Sequence, residues 1–598
     1  MSIIRAKHAF AAFIIASFSV VPAFAQVDLS GQWANRVHED QPARGPGLEI
    51  GEYTGYPLNA AGRAAAEHWD AAIYANPERQ CIPLGIITAN TNLRISRVID
   101  PTSQEDIAWQ LHLDWQSQDR TIWMDGRPHP PTEAPHTWQG FSTGKWVGNQ
   151  LVVTTTHLKQ SVIERNGVPR SDAATTVEHF MRYGDILTVV HIVYDPVFLE
   201  EPFIQSRSWV LTPNLANNGY ECVPHQEVVT RPKGYVPHYL PGKNPHLLRA
   251  QIRYGLPVDA LKGGAGTTYP EFQLKSKNPS RASQRPEPRA TNVPAVPIQQ
   301  VTREKGNVLV IPVQGNVYVL VGDGGNTTVQ VGANSVFVVD TQTEAMAPQI
   351  LAAIRDISKK PIRYIINTHA HADHTGGNAA IAGAGHSSGT NGDGFGGNSN
   401  VPARASAAIV AHLNVLQRMS GRGSSLPPDA VPSDAYDTAD YRLFNGEGVQ
   451  IIHEPAAHTN GDSIVFFRRS DVISAGDVFS TVSYPVIDRQ SGGSVNGIIA
   501  ALNHIIDLSI PRDKQEGGTY IIPGHGRISD QADVVEYRDI VTIIRDRIDD
   551  MIKRGLTLEQ IQAERPTFEF DNRYNNSSWT KEMVVEAVYR DLTATKNK

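Results

Sequence analysis

Thr368-His369-Ala370-His371-Ala372-Asp373-His374-Thr375-Gly376-Gly377 follows directly on the apolar stretch Ile362-Arg363-Tyr364-Ile365-Ile366-Asn367. The stretch reads as a strand, so the His/Asp cluster falls in a strand-to-helix loop. In extended backbone, residues two apart point the same way, so His369 and His371 can share one metal ion. Where the chain turns, Asp373 and His374 point elsewhere, and a second ion can sit there. Imidazoles with a carboxylate suit zinc.

Working outward, three later segments also set a ligand-type side chain at a strand end. Ala457-His458-Thr459-Asn460-Gly461-Asp462 follows a strand pattern at 449–452. Ser474-Ala475-Gly476-Asp477-Val478-Phe479 follows another, and Ile521-Ile522-Pro523-Gly524-His525-Gly526 closes a third. Upstream, 308–312, 317–321 and 335–340 read as strands and 345–357 as a helix. Tyr537, Ile540, Val541, Ile544, Ile548, Met551 and Ile552 recur at spacings of three and four, the buried face of an amphipathic helix. A Gly/Ser/Asn-rich run at 383–400 reads as a loop, and its His386 as a solvated residue.

The N-terminal half reads differently. From Leu29 to about Leu261 it is mostly strand-like, with 151–157 and 186–194 β-branched. Trp109, Trp115, Trp123, Trp138, Trp146 and Trp209 are scattered through it, and one helical stretch lies at 60–75. A mainly antiparallel β barrel or sandwich is expected over 26–274. A Pro/Ser-rich linker at 275–298 then leads into a catalytic domain at 299–598.

Arg5 and Lys7, an apolar run from Ala9 to Val21, and Ala23-Phe24-Ala25 form a secretory signal over 1–25, with cleavage before Gln26. The run is too short to span a bilayer, and no later segment is apolar enough. A periplasmic or secreted protein is expected. Losing the signal removes two positive charges and no acids, so the mature chain is more acidic than the −7 of the whole. That balance gives no electrostatic reason to bind nucleic acid. The two cysteines, Cys81 and Cys222, are expected to pair after export, with two buried thiols as the alternative.

With His-x-His-x-Asp-His followed in order by His458, Asp477 and His525, the chain from about Gln299 onward resembles the metallo-β-lactamase superfamily. The resemblance implies a four-layer αββα sandwich with the site at one edge of two sheets. It implies that His369, His371 and His458 bind a first zinc, and Asp373, His374 and His525 a second, with Asp477 bridging. Asp340 matches a supporting position that orients ligands. Asp477 looks like the glyoxalase II and lactonase branch, since true β-lactamases of the cysteine-using type place Cys there. Flavodiiron oxidoreductases place Glu where His371 stands. The N-terminal half resembles a β-domain of exported bacterial proteins, through 138–153 and Tyr194-Asp195-Pro196; this carries no catalytic residues.

Two such ions hold a hydroxide between them, a nucleophile at neutral pH for a carbonyl carbon. Asp373 is then the candidate proton shuttle to the leaving group. The reading is a binuclear zinc hydrolase of a small ester, lactone or related acyl bond. The alternatives are β-lactam hydrolysis, a mononuclear iron enzyme like the persulfide dioxygenases, and an inert ligand-binding protein. The loop 480–497, with Tyr484, Asp488 and Asn496, is expected to border the substrate pocket.

Overall fold

The computed structural model describes residues 27–36, 48–83, 85–87, 91–114, 116, 118–216, 222–272, 298–386, 406–421, 424–512 and 518–596. The signal at 1–25, the linker apart from its last residue, the Gly-rich run from 387 and Trp115 lie outside the described residues.

The N-terminal strands are β1 (Gly31–Arg36), β2 (Leu93–Ile99), β3 (Asp106–Leu113), β4 (Gln118–Trp123), β5 (Phe141–Val147), β6 (Gln150–Thr156), β7 (Ser161–Glu164), β8 (Val168–Arg170), β9 (Thr175–Tyr183), β10 (Ile186–Tyr194) and β11 (Phe203–Leu211). Nine of them close into a barrel in the order β1-β11-β10-β9-β6-β5-β4-β3-β2; β7 and β8 form a separate hairpin. The barrel, not the sandwich, is what forms, and β4 and β5 pair parallel within it. Period-two alternation builds its core: Phe203, Gln205, Arg207 and Trp209 of β11 are all buried. One interior layer is apolar, around Trp33, Trp109 and Phe180. The other is polar, where the Arg120 guanidinium is bonded to Glu178, Ser142 and Thr155.

Short helices Ala60–His68, Arg249–Tyr254 and Val258–Leu261 accompany the barrel. One expectation needs correction: the stretch 60–75 is two elements. The α-helix ends at His68, and a 3₁₀ turn Ala71–Ala75 restarts on Asp70, whose carboxylate accepts from Ala72 N at 2.9 Å. An Asp in an extended conformation offers the backbone a cap rather than another helical turn.

The C-terminal half holds two sheets. The first comprises β12 (Leu309–Gln314), β13 (Val317–Gly322), β14 (Gly325–Val331), β15 (Val336–Val339), β16 (Ile362–Ile366), β17 (Ala408–His412) and β18 (Asp434–Tyr436), in that order. The second comprises β19 (Ala439–Phe444), β20 (Glu447–His453), β21 (Ser463–Phe467), β22 (Val472–Ser480), β23 (Tyr520–His525) and β24 (Ser529–Asp530). Alternation on β15 shows how the layers stack. Phe337 and Val339 pack between the sheets with Ile366, Val449, Val465 and Phe467. Val336 and Val338 face outward onto Ile350 and Ile354 of the helix Ala347–Ile357. Helices Val495–Leu508 and Gln531–Lys553 cover the outer face of the second sheet. The order is helix, sheet, sheet, helix, the αββα sandwich expected.

The two halves share a buried interface. Ile73 and Val236 of the N-terminal half pack into the core cluster beneath the helix Gln531–Lys553. Lys159 donates to Asp530 at 2.7 Å and to Asp533 at 2.8 Å, the two residues that cap that helix. Asp172 accepts from Arg573 at 2.7 and 2.9 Å and from Arg527 at 3.3 Å. Arg79 bonds Asp539 and Glu536. Each half therefore leaves charges whose partners lie on the other. The halves are thus joined by a buried interface as well as by the chain between them.

Candidate metal centre

All the candidate side chains but Asp477 lie at or beyond the end of a strand. His369, His371, Asp373 and His374 follow β16, His458 follows β20, Asp477 lies within β22, and His525 ends β23. The fold brings all seven together. Ligand-type atoms of His369, His371, His458 and Asp477 lie within 4.8 Å of one another, as do those of Asp373, His374 and His525. His386, exposed, is in neither group.

Asp477 faces both groups with different oxygens. Its Oδ2 lies 3.9 Å from His369 Nε2 and 3.8 Å from His458 Nε2. Its Oδ1 lies 3.2 Å from His374 Nε2 and 3.5 Å from His525 Nε2. Asp373 Oδ2 lies 3.4 Å from His525 Nε2. Gly524 makes this approach possible, since a Cβ there would sit 2.0 Å from Asp477 Oδ1. Gly325, at φ +115°, does the same for His525, whose ring carbon would be 3.0 Å from an added Cβ.

The far nitrogens of His369, His371, His374 and His458 are held from behind, which fixes their tautomers. His374 Nδ1 donates to Asp340 Oδ2 at 2.7 Å, and Thr368 N and Oγ1 donate to the same carboxylate at 2.8 and 2.7 Å. Asp340 sits at φ +60° at the end of β15. His369 Nδ1 lies 3.1 Å from Thr368 Oγ1, His458 Nδ1 donates to Val486 O at 2.7 Å, and His371 Nε2 donates to Asp488 Oδ2 at 3.1 Å. The nitrogens left facing inward are Nε2 of His369, His374, His458 and His525 and Nδ1 of His371.

These atoms fit a metal. His369 Nε2 is buried without a hydrogen-bond partner, and His374 Nε2 and Asp477 Oδ1, 3.2 Å apart, have only each other; a cation that takes these lone pairs offsets the cost of their burial. Burial, then the imidazoles of His374 and His458, holds His369 well below the ordinary histidine range, so its lone pair is free. Burial opposes charge on Asp477, yet His374 and His525 hold its carboxyl well below the ordinary range. The site opens on one side. His371, Asp373 and His525 side chains are 33, 40 and 30% exposed, whereas His369 and His374 side chains are 1% exposed.

The loop 480–497 borders this centre in part only. Asp488 reaches it. Tyr484 is buried, with its hydroxyl on Asp571 Oδ1 at 2.9 Å, and Asn496 accepts from Arg545 at 3.3 Å; both face the C-terminal helices. The roles of Thr368 and the Val486 carbonyl carry no signal in the sequence.

Residues 311–525 match the model of the metallo-β-lactamase superfamily. Residues 311–525 of this chain therefore form a metallo-β-lactamase superfamily domain. Among solved structures, the chain is similar to the stereoselective inverting sec-alkylsulfatase Pisa1 from Pseudomonas sp. at 16% identity and a TM-score of 0.35, over 47% of this chain and 50% of that one. It thus spans half the length of that alkylsulfatase. It is also similar to a metallo-β-lactamase from Pontibacter korlensis, at 12% identity and a TM-score of 0.30 over 40% of this chain and 99% of that one. The DIM-1 metallo-β-lactamase stands at 14% and 0.30, over 40% and 97%. No curated protein matches the chain.

Proposed function

We propose that the C-terminal domain is a binuclear zinc hydrolase that cleaves a small ester, lactone or related acyl bond. The observation that carries this is Asp477, one oxygen turned to the His369/His371/His458 group and the other to the Asp373/His374/His525 group. When bound, the ions would supply a water of lowered pKa and a Lewis acid toward the acyl oxygen.

The remaining work falls to the chain. The buried imidazoles and their supports keep the inner face dry and rigid. Asp373, the most exposed carboxylate of the centre, stands at the mouth, beside His525. Burial opposes charge on Asp373, but His525, 3.4 Å away, and His374 hold its carboxyl below the ordinary range. An ionised carboxylate at the mouth can take a proton from the nucleophile and pass it to the leaving group. Asp373 is thus both candidate ligand and shuttle.

On this reading the chain divides into a signal at 1–25, the barrel domain at 26–274, a linker at 275–298 and the hydrolase at 299–598. Export to the periplasm or outside is supported by the bond between Cys81 and Cys222, which persists in oxidising compartments. No helix among the described residues is long and apolar enough to cross a membrane.

The test is turnover of aryl esters, lactones, thioesters and β-lactams by purified protein before and after chelation. Acyl hydrolysis that disappears with chelation and returns with zinc is expected. Activity restricted to sulfur oxidation, or unaffected by chelation, contradicts the proposal.

A further inference from the structure

Two imidazoles of the first group, His371 and His458, are held from behind by one short loop. His458 Nδ1 donates to Val486 O at 2.7 Å, and His371 Nε2 donates to Asp488 Oδ2 at 3.1 Å. The loop is fastened to the same histidine through its backbone, with Asp488 N donating to His458 O at 3.0 Å. It is closed on itself by Ser491 N on Asp488 Oδ1 at 3.0 Å and Gly493 N on Asp488 O at 2.8 Å. The two oxygens of Asp488 therefore have separate tasks, one shaping the turn and one facing His371.

The other end of this loop is anchored by residues beyond the matched superfamily region, which ends at 525. The Tyr484 hydroxyl donates to Asp571 Oδ1 at 2.9 Å and lies 3.2 Å from Thr567 O, and its backbone N donates to Tyr574 O at 3.3 Å. Trp579 Nε1 donates to Pro485 O at 3.1 Å. The same C-terminal segment is tied to the barrel domain through Arg573 on Asp172 and through Glu569, 2.8 Å from His68.

Resting on the metal-centre reading above, we propose that 484–493 is a strap that positions the first metal site. Its anchor is the C-terminal segment 567–579, and Asp488 is the positioning residue that fixes His371 with Nδ1 toward the ion. The physical need is definite. Imidazole offers a lone pair on one nitrogen only when the other carries the proton, and a carboxylate behind Nε2 selects that tautomer.

The diagnostic variant is Asp488→Asn. It keeps the volume and the oxygen that accepts from Ser491 N. It then presents an NH₂ group to His371 Nε2, which selects the opposite tautomer and puts a proton where the metal should bind. Stepwise zinc affinities by chelator competition, with the absorption of cobalt(II)-loaded protein, read the two sites separately from activity. Asp488→Asn is expected to weaken one of the two ions about 10–100-fold. The cobalt spectrum of one site should change, and circular dichroism should not. Tyr484→Phe, which only loosens the anchor, is expected to weaken the same ion by less. Asp340→Asn, behind His374, is expected to weaken the other ion. If wild-type protein binds two ions and Asp488→Asn binds both unchanged, or loses both equally, the strap is wrong and the metal centre stands. Wild-type protein that takes up no metal overturns the metal-centre reading itself.

Discussion

At Asp373 the chemistry can be separated from the coordination. Asp373→Asn keeps the shape and one oxygen but cannot carry a proton. The first group does not include it, so that ion should remain bound while the second binds more weakly. A fall in kcat of about 10²–10⁴-fold is expected, with the fold intact by circular dichroism. The loss should be larger for alkoxide leaving groups, which need protonation, than for activated aryl esters. Near-full activity on an unactivated ester would remove the shuttle role. Gly524→Ala tests the bridging position without altering any ligand. Its Cβ would meet Asp477 Oδ1 at 2.0 Å, so the carboxylate must move and metal content should fall below that of the wild type. Unchanged metal content would show that Asp477 is not confined there. At this scale the centre was legible in the sequence because four of its seven residues are packed into one loop. Asp488 was named only as a pocket-bordering residue, and the Val486 carbonyl not at all. A lone Asp in a loop has no local pattern, and any residue can contribute a carbonyl.

Aromatic contacts join the two sheets whose strands carry the centre. Phe337 of β15 packs within 5.4 Å of Phe444 and 5.7 Å of Phe467, ring centre to ring centre, and is fully buried. Phe337→Ala is expected to cost about 3–5 kcal/mol in urea unfolding. A loss under about 1 kcal/mol would mean that the inter-sheet core repacks around the gap. The apolar strands were readable from their periodicity, but β14 was not. Gly325-Asn326-Thr327-Thr328-Val329-Gln330-Val331 begins like a turn and alternates polar residues into the inter-sheet layer. Those residues are satisfied across it: Asn326 donates to Pro523 O at 2.9 Å, and Thr328 to Ser474 Oγ at 3.0 Å. Gln330 donates to Glu447 at 2.5 Å. A buried polar strand paid for by long-range partners leaves no local signature.

Across the whole molecule, the buried ion pairs between the halves set both integrity and acid sensitivity. Burial opposes ionisation of Asp172, but Arg573 and Arg527 outweigh it and hold the carboxyl far below its ordinary value. Asp533 is held down by Arg527 and Lys159 against the same opposition. A carboxylate depressed in the folded state contributes stability above its unfolded pKa, near ~4, and loses it as pH falls further. Unfolding by urea should therefore show stability falling progressively from about pH 5 downward and still falling below about pH 3. Asp172→Asn leaves a buried cation unpaired and should cost about 3–5 kcal/mol at pH 7. The gap to wild type should narrow toward pH 3; a gap independent of pH would place the stabilisation elsewhere. For the same reason, the fragment 299–598 should be far less stable than the whole chain. Such partners lie hundreds of residues apart, so the division into two bodies could be read from composition while their interface could not.

The claim on which the rest depends is that the Asp477 carboxylate joins two metal positions. Elemental analysis of purified protein, repeated on Asp477→Asn, addresses it directly. About two zinc per chain are expected for the wild type, and clearly fewer for the variant. One iron per chain in the wild type, or two zinc retained undiminished by Asp477→Asn, would contradict it.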